Sequence, residues 1–301
     1  MKTSNEKHRI IIAAIILFAW IAAAFTLVYS LKFYYKNKPV IISFIDVGQG
    51  DSCLIQGGKE GTVLIDGGDI GSSYTLVSYL KIKNISKLNA IFISHFHKDH
   101  SSGIKELIEQ GFCIDKLYIN IEEADSDLRL EVLKLASNNN ITVNWIEKNK
   151  SYNIGRIRYD ILAPDKGTQN MKLNDQSTIM KAVYNDFSVL FTGDAETEEQ
   201  RITASVYGDT LKSTILKVPH HGSLSAICNE FINSVNPEYA VISLGKNNKY
   251  DCPSTEMLDI FSKKGIPIWR TDYDGTIEFT VNNDGVRNIS ITKRREQFYD
   301  Y

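Results

Sequence analysis

Two hydrophobic rhythms divide the chain. From Ile10 to Leu31 no charged residue interrupts 22 positions, a length that as a helix spans about 33 Å, the thickness of a bilayer core. After Lys38-Pro39 the pattern changes to short apolar runs broken by Gly, Asn and Asp, as strands bounded by turns require. The runs predict strands at about 40–46, 51–56, 62–66, 90–94, 141–146, 157–162, 177–184, 187–192, 214–219, 238–243, 267–270, 275–281 and 287–292. Between them, helices are expected near 73–82, 102–110, 122–137, 195–206, 223–234 and 254–263. In 122–137, Leu128, Val132 and Leu135 with Leu130 and Leu133 suit packing on a sheet. Asn185-Asp186 reads as a tight turn between two strands. Two sheets packed face to face with helices outside would bury such strands, so the expected architecture is an αββα sandwich.

The first 38 residues are expected to be separate from it. We read 1–9 as a cytoplasmic N-terminus, 10–31 as a transmembrane signal-anchor, 32–39 as a linker and 40–301 as one folded domain. Ala22-Ala23-Ala24 offers a signal-peptidase site, and a secreted product is the alternative. Against cleavage, Phe25-Thr26-Leu27-Val28-Tyr29 prolongs the apolar run. Lys2, Lys7 and Arg9 on one flank nearly balance Lys32, Lys36 and Lys38 on the other, so the positive-inside rule does not orient the segment. The anchor reading itself places the domain outside the cytoplasm.

Composition changes this picture little, since 43% hydrophobic and 23% charged residues are those of a folded protein. Charge changes it more. Those six cations face Glu6 alone, a net of +5, which leaves −7 for the remainder of a chain whose total is −2. An acidic domain lacks the electrostatic footprint of a nonspecific DNA binder. Lys181, Lys246 and Lys249 remain candidates for a small phosphate pocket. The four cysteines, Cys53, Cys113, Cys228 and Cys252, are isolated and define no disulfide framework.

Five of the six histidines sit in two clusters. The first reads Ser94-His95-Phe96-His97-Lys98-Asp99-His100. On an extended segment His95 and His97 point to one side and can reach one cation. Asp99 and His100 are neighbours, so the chain must turn there to aim both at a second cation. Imidazole and carboxylate suit zinc, manganese or iron, and no Cys-x-x-Cys pair suggests a closed structural zinc site. Downstream, the buried run Ser188 to Thr192 leads through Gly193 to Asp194, whose two oxygens can bridge a metal pair about 3.5–4 Å apart. A further apolar run, Thr214 to Pro219, delivers His220-His221-Gly222-Ser223. Adjacent histidines cannot both face one metal easily. One is expected to be a ligand and the other a proton carrier, and the expected set is His95, His97, Asp99, His100, Asp194 and His220 as ligands, with Asp99 orienting the nucleophile and His221 protonating the leaving oxygen.

Together these three segments resemble the metallo-β-lactamase superfamily. The likeness narrows at Phe44-Ile45-Asp46-Val47-Gly48-Gln49-Gly50-Asp51-Ser52, Leu64-Ile65-Asp66-Gly67-Gly68 and Leu216-Lys217-Val218-Pro219-His220-His221-Gly222-Ser223. With Gly245 to Tyr250 and Arg270 to Ile277, these stretches are similar to the metallo-β-lactamase domain of ComEC-type DNA-uptake proteins, over about residues 40 to 282. The resemblance implies the αββα metallo-β-lactamase sandwich, two divalent metal ions (zinc or manganese) and metal-dependent hydrolysis, with Ser223, Lys246 and Asn248 at the substrate. Two departures stand out. Asp251-Cys252-Pro253 occupies the place where the family pattern has Gly-His-Pro, making Cys252 a possible thiolate ligand that would favour zinc over manganese. No histidine lies between His100 and His220, and Leu173-Asn174-Asp175-Gln176-Ser177 occupies the stretch where many superfamily enzymes carry one.

The expected function is a membrane-anchored, extracytoplasmic, metal-dependent hydrolase of phosphoesters, with single-stranded DNA among the candidate substrates. Two readings compete with it: a cell-envelope hydrolase of a non-DNA ester, and a metal-stabilised accessory module for DNA uptake without catalysis. The single apparent span cannot by itself form a multi-span channel.

Overall fold

The computed structural model describes residues 4–120, 126–165 and 171–293. The chain divides after Lys38 into two units. The first is a helix, α1 (Ser4–Asn37), in which His8–Leu31 is long and apolar enough to cross a membrane. The helix continues to Asn37, so residues 32–37 of the expected linker are helical.

The second unit opens with β1 (Val40–Phe44), β2 (Cys53–Gln56), β3 (Thr62–Ile65), α2 (Ser72–Ile82), the short β4 (Lys87–Leu88), β5 (Ala90–Ile93), α3 (Lys98–Glu109), β6 (Cys113–Ile114), β7 (Lys116–Asn120), α4 (Asp127–Asn138) and β8 (Thr142–Ile146). It continues through β9 (Ser151–Ile154), β10 (Ile157–Ala163), β11 (Ile179–Tyr184), β12 (Phe187–Phe191), α5 (Thr197–Tyr207), β13 (Ile215–Lys217), α6 (Asn229–Val235) and β14 (Tyr239–Ile242). It ends with α7 (Thr255–Lys263), β15 (Ile268–Arg270), α8 (Thr271–Asp274), β16 (Ile277–Asn282) and β17 (Gly285–Ile291). One sheet has the order β17-β16-β1-β2-β3-β5-β7-β8 and the other β15-β14-β13-β12-β11-β10-β9.

Strand alternation explains the layers. In β5, Phe92 faces one apolar cluster while Ile91 and Ile93 face another. In β12, Val189 and Phe191 face that same first cluster and Leu190 a third. The first cluster lies between the sheets, the second under α2, α3 and α4, and the third under α5, α6 and α7, which is the αββα sandwich. Phe92 stacks on Tyr118 at 4.5 Å within its sheet and on Tyr159 at 5.0 Å across the interface. Truncating such a ring to Ala costs about 3–5 kcal/mol.

Two differences from the sequence reading bear on the site. Helix α3 begins at Lys98, four residues before the expected start, so Asp99 and His100 lie in its first turn. The expected helix 223–234 is instead a short turn, Leu224–Ala226, followed by α6. The expected helix 122–137 begins among residues outside those described, and from Asp127 it runs as α4. The Asn185-Asp186 turn joins β11 to β12, with Tyr184 paired to Phe187 and Asn185 at φ 52°. Each sheet has a parallel half, β3-β5-β7-β8 in one and β12-β13-β14-β15 in the other. Ligands collect outside the carboxyl ends of such strands.

Candidate metal centre

His95 leaves the end of β5, and His97 caps α3 in an extended conformation (φ −72°, ψ 152°). The turn between them brings His95 Nε2 to 2.9 Å from His97 Nδ1. The start of α3 is clamped by the loop after β3: the Gly67 N–H donates to His100 O at 2.7 Å and the Gly103 N–H to Gly68 O at 3.0 Å. A Cβ on Gly103 would stand 2.0 Å from Gly67 O, so only glycine permits this approach. The Asp51 N–H holds Asp99 O at 3.0 Å from the other side.

Asp194 follows β12 through Gly193, and its N–H donates to Ser177 Oγ at 3.1 Å. Its carboxylate divides the imidazoles. Oδ1 lies 3.1 Å from His100 Nε2 and 3.8 Å from His221 Nε2, whereas Oδ2 lies 3.9 Å from His95 Nε2 and 3.8 Å from His220 Nε2. Two groups of potential ligand atoms result, each within a 4.8 Å span: His95, His97 and Asp194, and Asp99, His100, Asp194 and His221. His100 Nε2 and Asp194 Oδ1 face each other without a hydrogen bond although both are buried. Buried polar atoms left unpaired are costly, and a shared divalent cation would satisfy both.

The outer partners set the tautomers. The His221 Nδ1–H donates to Ser243 O at 2.7 Å, which turns Nε2 inward to Asp99 Oδ2 at 3.2 Å. His100 Nδ1 lies 2.9 Å from Asp66 Oδ2, which likewise directs Nε2 inward. Asp66 is itself held by the Ser94 N–H (2.8 Å) and hydroxyl (2.7 Å). Ser94 and Ser177 hydroxyls approach His95 Nδ1 at 3.1 and 3.2 Å. Such partners fix ring orientation and raise ligand basicity.

The buried charges act strongly on one another. Burial alone would push His221 down, yet the negative charges of Asp194, Asp51 and Asp99 outweigh it and raise it to about 10. His100 goes well up against its burial for the same reason, through Asp194 and Asp66. Burial would raise Asp194 and Asp99, but the surrounding imidazoles hold both below the ordinary carboxylate range. His95 is pushed well down by burial and by His100.

The adjacent histidines separate. Both adopt left-handed backbone (φ 46° and 53°), which turns one ring inward and leaves the other at the rim. This exchanges the expected positions: His221, expected as the proton carrier, lies with Asp99 and His100, and His220 stands outside that group. The physical cause is the Nδ1–H bond that draws His221 towards β14.

The other expected residues are placed as follows. Asn248 is consumed by its own loop, donating to Cys252 O at 2.7 Å and accepting from the N–H groups of Tyr250 and Cys252. Ser223 Oγ accepts from the Ser225 N–H and caps the turn after the histidines. Lys246 is exposed. The Lys181 ammonium is tied down before β13, donating to Thr210 O and Lys212 O. Cys252 is half-buried and belongs to neither ligand group, although burial and the charge of Asp194 push its thiol up. The stretch 173–177 supplies Ser177 to His95 and Asp194, not a third imidazole.

Sequence reasoning gave no role to Asp51, Asp66, Lys217 or Ser243. Lys217 did carry a signal, being a lone charge inside the apolar run Ile215-Leu216-Lys217-Val218.

Residues 45–149 match the model of the metallo-β-lactamase superfamily. The chain is 29% identical to ComE operon protein 3 of Bacillus subtilis, over 80% of this chain and 33% of that protein. It is 27% identical to competence protein ComA of Neisseria gonorrhoeae, over 80% of this chain and 32% of that one. The chain thus spans about a third of the length of the curated relatives it matches. Among solved structures, the metallo-β-lactamase fold protein YhfI from Bacillus subtilis superposes with a TM-score of 0.55 at 15% identity, covering 80% of this chain and all of that one.

Proposed function

We propose that this chain, a metallo-β-lactamase-fold protein of the superfamily whose sequence resembles the metallo-β-lactamase domain of ComEC-type competence proteins, is a membrane-anchored hydrolase of phosphoester bonds. The observation that carries the reading is the Asp194 carboxylate, buried and flanked by two ligand groups, one to each oxygen. His95 and His97 would hold one divalent cation beside Asp194 Oδ2. Asp99, His100 and His221 would hold the second. When bound, such a pair supplies Lewis acidity and a water acidic enough to act near neutral pH.

The chain's own residues then do the rest. Asp99, with one oxygen towards His221, is placed to accept a proton from an attacking water and orient it. His220, a quarter exposed and hydrogen-bonded by Ser225 Oγ at 3.3 Å, is the imidazole nearest solvent that can give a proton to a leaving oxygen. The first turn of α3 adds positive potential for an anionic substrate. Asn248 shapes the loop beside the site, Ser223 caps the turn that carries the histidines, and Cys252 is assigned no ligand role. Helix α1 would anchor the protein with this domain outside the cytoplasm.

The test is hydrolysis of bis-(p-nitrophenyl) phosphate and of single-stranded DNA by the full chain in detergent with zinc or manganese. His100→Ala should retain the fold and lose at least the roughly 10–100-fold that removing even an outer partner costs. Inactivity of the folded wild type on every phosphoester, with either metal loaded, would sink the reading. The acidic balance of the domain favours one variant of it, in which the natural substrate is an envelope phosphoester and not DNA.

A further inference from the structure

Behind the second ligand group lies an ion pair that the reading above does not use. Lys217, the last residue of β13, is 3% exposed, and its ammonium meets Asp51 Oδ2 at 2.6 Å and donates to Val218 O at 3.0 Å. Asp51 is 5% exposed. Its other oxygen, Oδ1, is buried without a hydrogen-bond partner and points to His221 Nδ1 at 3.4 Å, whose proton goes to Ser243 O instead. Asp51, Asp66 and His100 also form a third group of potential ligand atoms within a 4.8 Å span, sharing His100 with the second. A buried ion pair is weak as a stabilising device, because desolvation offsets its attraction. An isosteric apolar pair would pack as well, so this charge calls for another role.

We propose that the Lys217 ammonium is a built-in cation: it neutralises Asp51, keeps that carboxylate out of the metal shell and limits the centre to two metals. This rests on the two-metal reading above. Four carboxylates surround the centre, Asp51, Asp66, Asp99 and Asp194, and two divalent cations would balance them. Lys217 adds one positive charge to that balance, which suits an anionic diester. Without it, Asp51 Oδ1 and Asp66 would present a second, uncompensated carboxylate pair beside His100, the hard oxygen set that manganese accepts. Lys217 is therefore a positioning residue acting through Asp51, and it touches no substrate.

The experiment counts Mn²⁺ on the full chain in detergent by electron paramagnetic resonance, with dissociation constants from titration. Wild type should hold two equivalents, Lys217→Met three, and Lys217→Arg two. Lys217→Met/Asp51→Asn, which removes both charges, should return to two. Asp51→Asn alone leaves the ammonium uncompensated and should weaken manganese about tenfold, the scale of an outer-partner loss, with the double variant restored to within about threefold. Should Lys217→Met fail to fold, the comparison of Asp51→Asn with the double variant decides. Two equivalents at wild-type affinity in Lys217→Met, or equal affinities in Asp51→Asn and the double variant, would overturn the role of Lys217. A wild type that binds no metal would instead overturn the two-metal reading.

Discussion

Gly193 shows how narrow the tolerances of the centre are. Its φ is +48°, and a Cβ there would stand 2.9 Å from Ser94 Cβ and 3.0 Å from Ser177 Cβ. Those two serines converge on His95 Nδ1, and Ser177 also accepts the Asp194 N–H. Gly193→Ala should therefore act on metal binding beyond its backbone strain, which costs about 1–3 kcal/mol. We expect a folded protein whose manganese affinity falls roughly 10–100-fold, read by titration beside a thermal melt. A variant destabilised by that amount but with unchanged affinity would show that the serines do not position His95. The first-cluster imidazoles and Asp194 were legible in the sequence because their spacing has no packing explanation. Which of His220 and His221 faces inward was not, since a backbone conformation decides it. The same holds for Asp51 and Asp66. Their partners His221 and His100 are distant in the chain, and only folding reveals that a carboxylate in a glycine-rich turn backs a ligand.

At the scale of elements, apolar runs made even the half-exposed β8 and β17 legible, but not every edge strand has one. The edge strand β9 (Ser-Tyr-Asn-Ile) alternates exposed and half-buried positions and carries no continuous apolar run, so its pattern reads as loop. The expected helix at 223–234 failed for a local reason, because the turn carrying the histidines is prolonged by Leu224–Ala226 before α6 can start at Asn229. Helix α5 was expected nearly where it lies, but it buries a carboxyl group in its first turn. Glu199 is 1% exposed, with Oε1 accepting from the Thr203 hydroxyl at 3.1 Å and Oε2 unpartnered. Burial, reinforced by Asp165 and Asp175 and opposed by Thr203 and Lys148, raises its pKa from 4.5 to about 7. The folded protein thus keeps a proton that the unfolded chain releases, and stability from this group is full below pH 4.5 and lost as pH rises through 7. Relative to Glu199→Gln, the wild type should lose roughly 2–3 kcal/mol between pH 5 and pH 8. Urea unfolding at both values measures it, and parallel pH profiles for the two proteins would refute the buried-acid account.

Across the whole molecule, charge decides what the centre can be offered. All three apolar clusters lie within residues 40–281, and residues 39–301 carry −7 while α1 and its flanks carry +5. A long polyanion approaching the metal end would meet few cations, Lys98 beside the histidines and Lys246 and Lys249 of the loop after β14, all exposed. Two phosphate contacts on a single strand give a salt slope of about −1.4, so kcat/KM on single-stranded DNA should fall roughly sevenfold between 50 and 200 mM salt. A small neutral-ended diester engages only the centre itself, where bound cations are screened less, and should change less than about twofold over the same range. Lys246→Ala/Lys249→Ala should abolish the difference between the two substrates without reducing turnover of the small one. If DNA cleavage proves as insensitive to salt as the small diester, and the double variant cleaves both at wild-type rates, no backbone track leads to this centre. Such a result would favour a compact phosphoester over DNA.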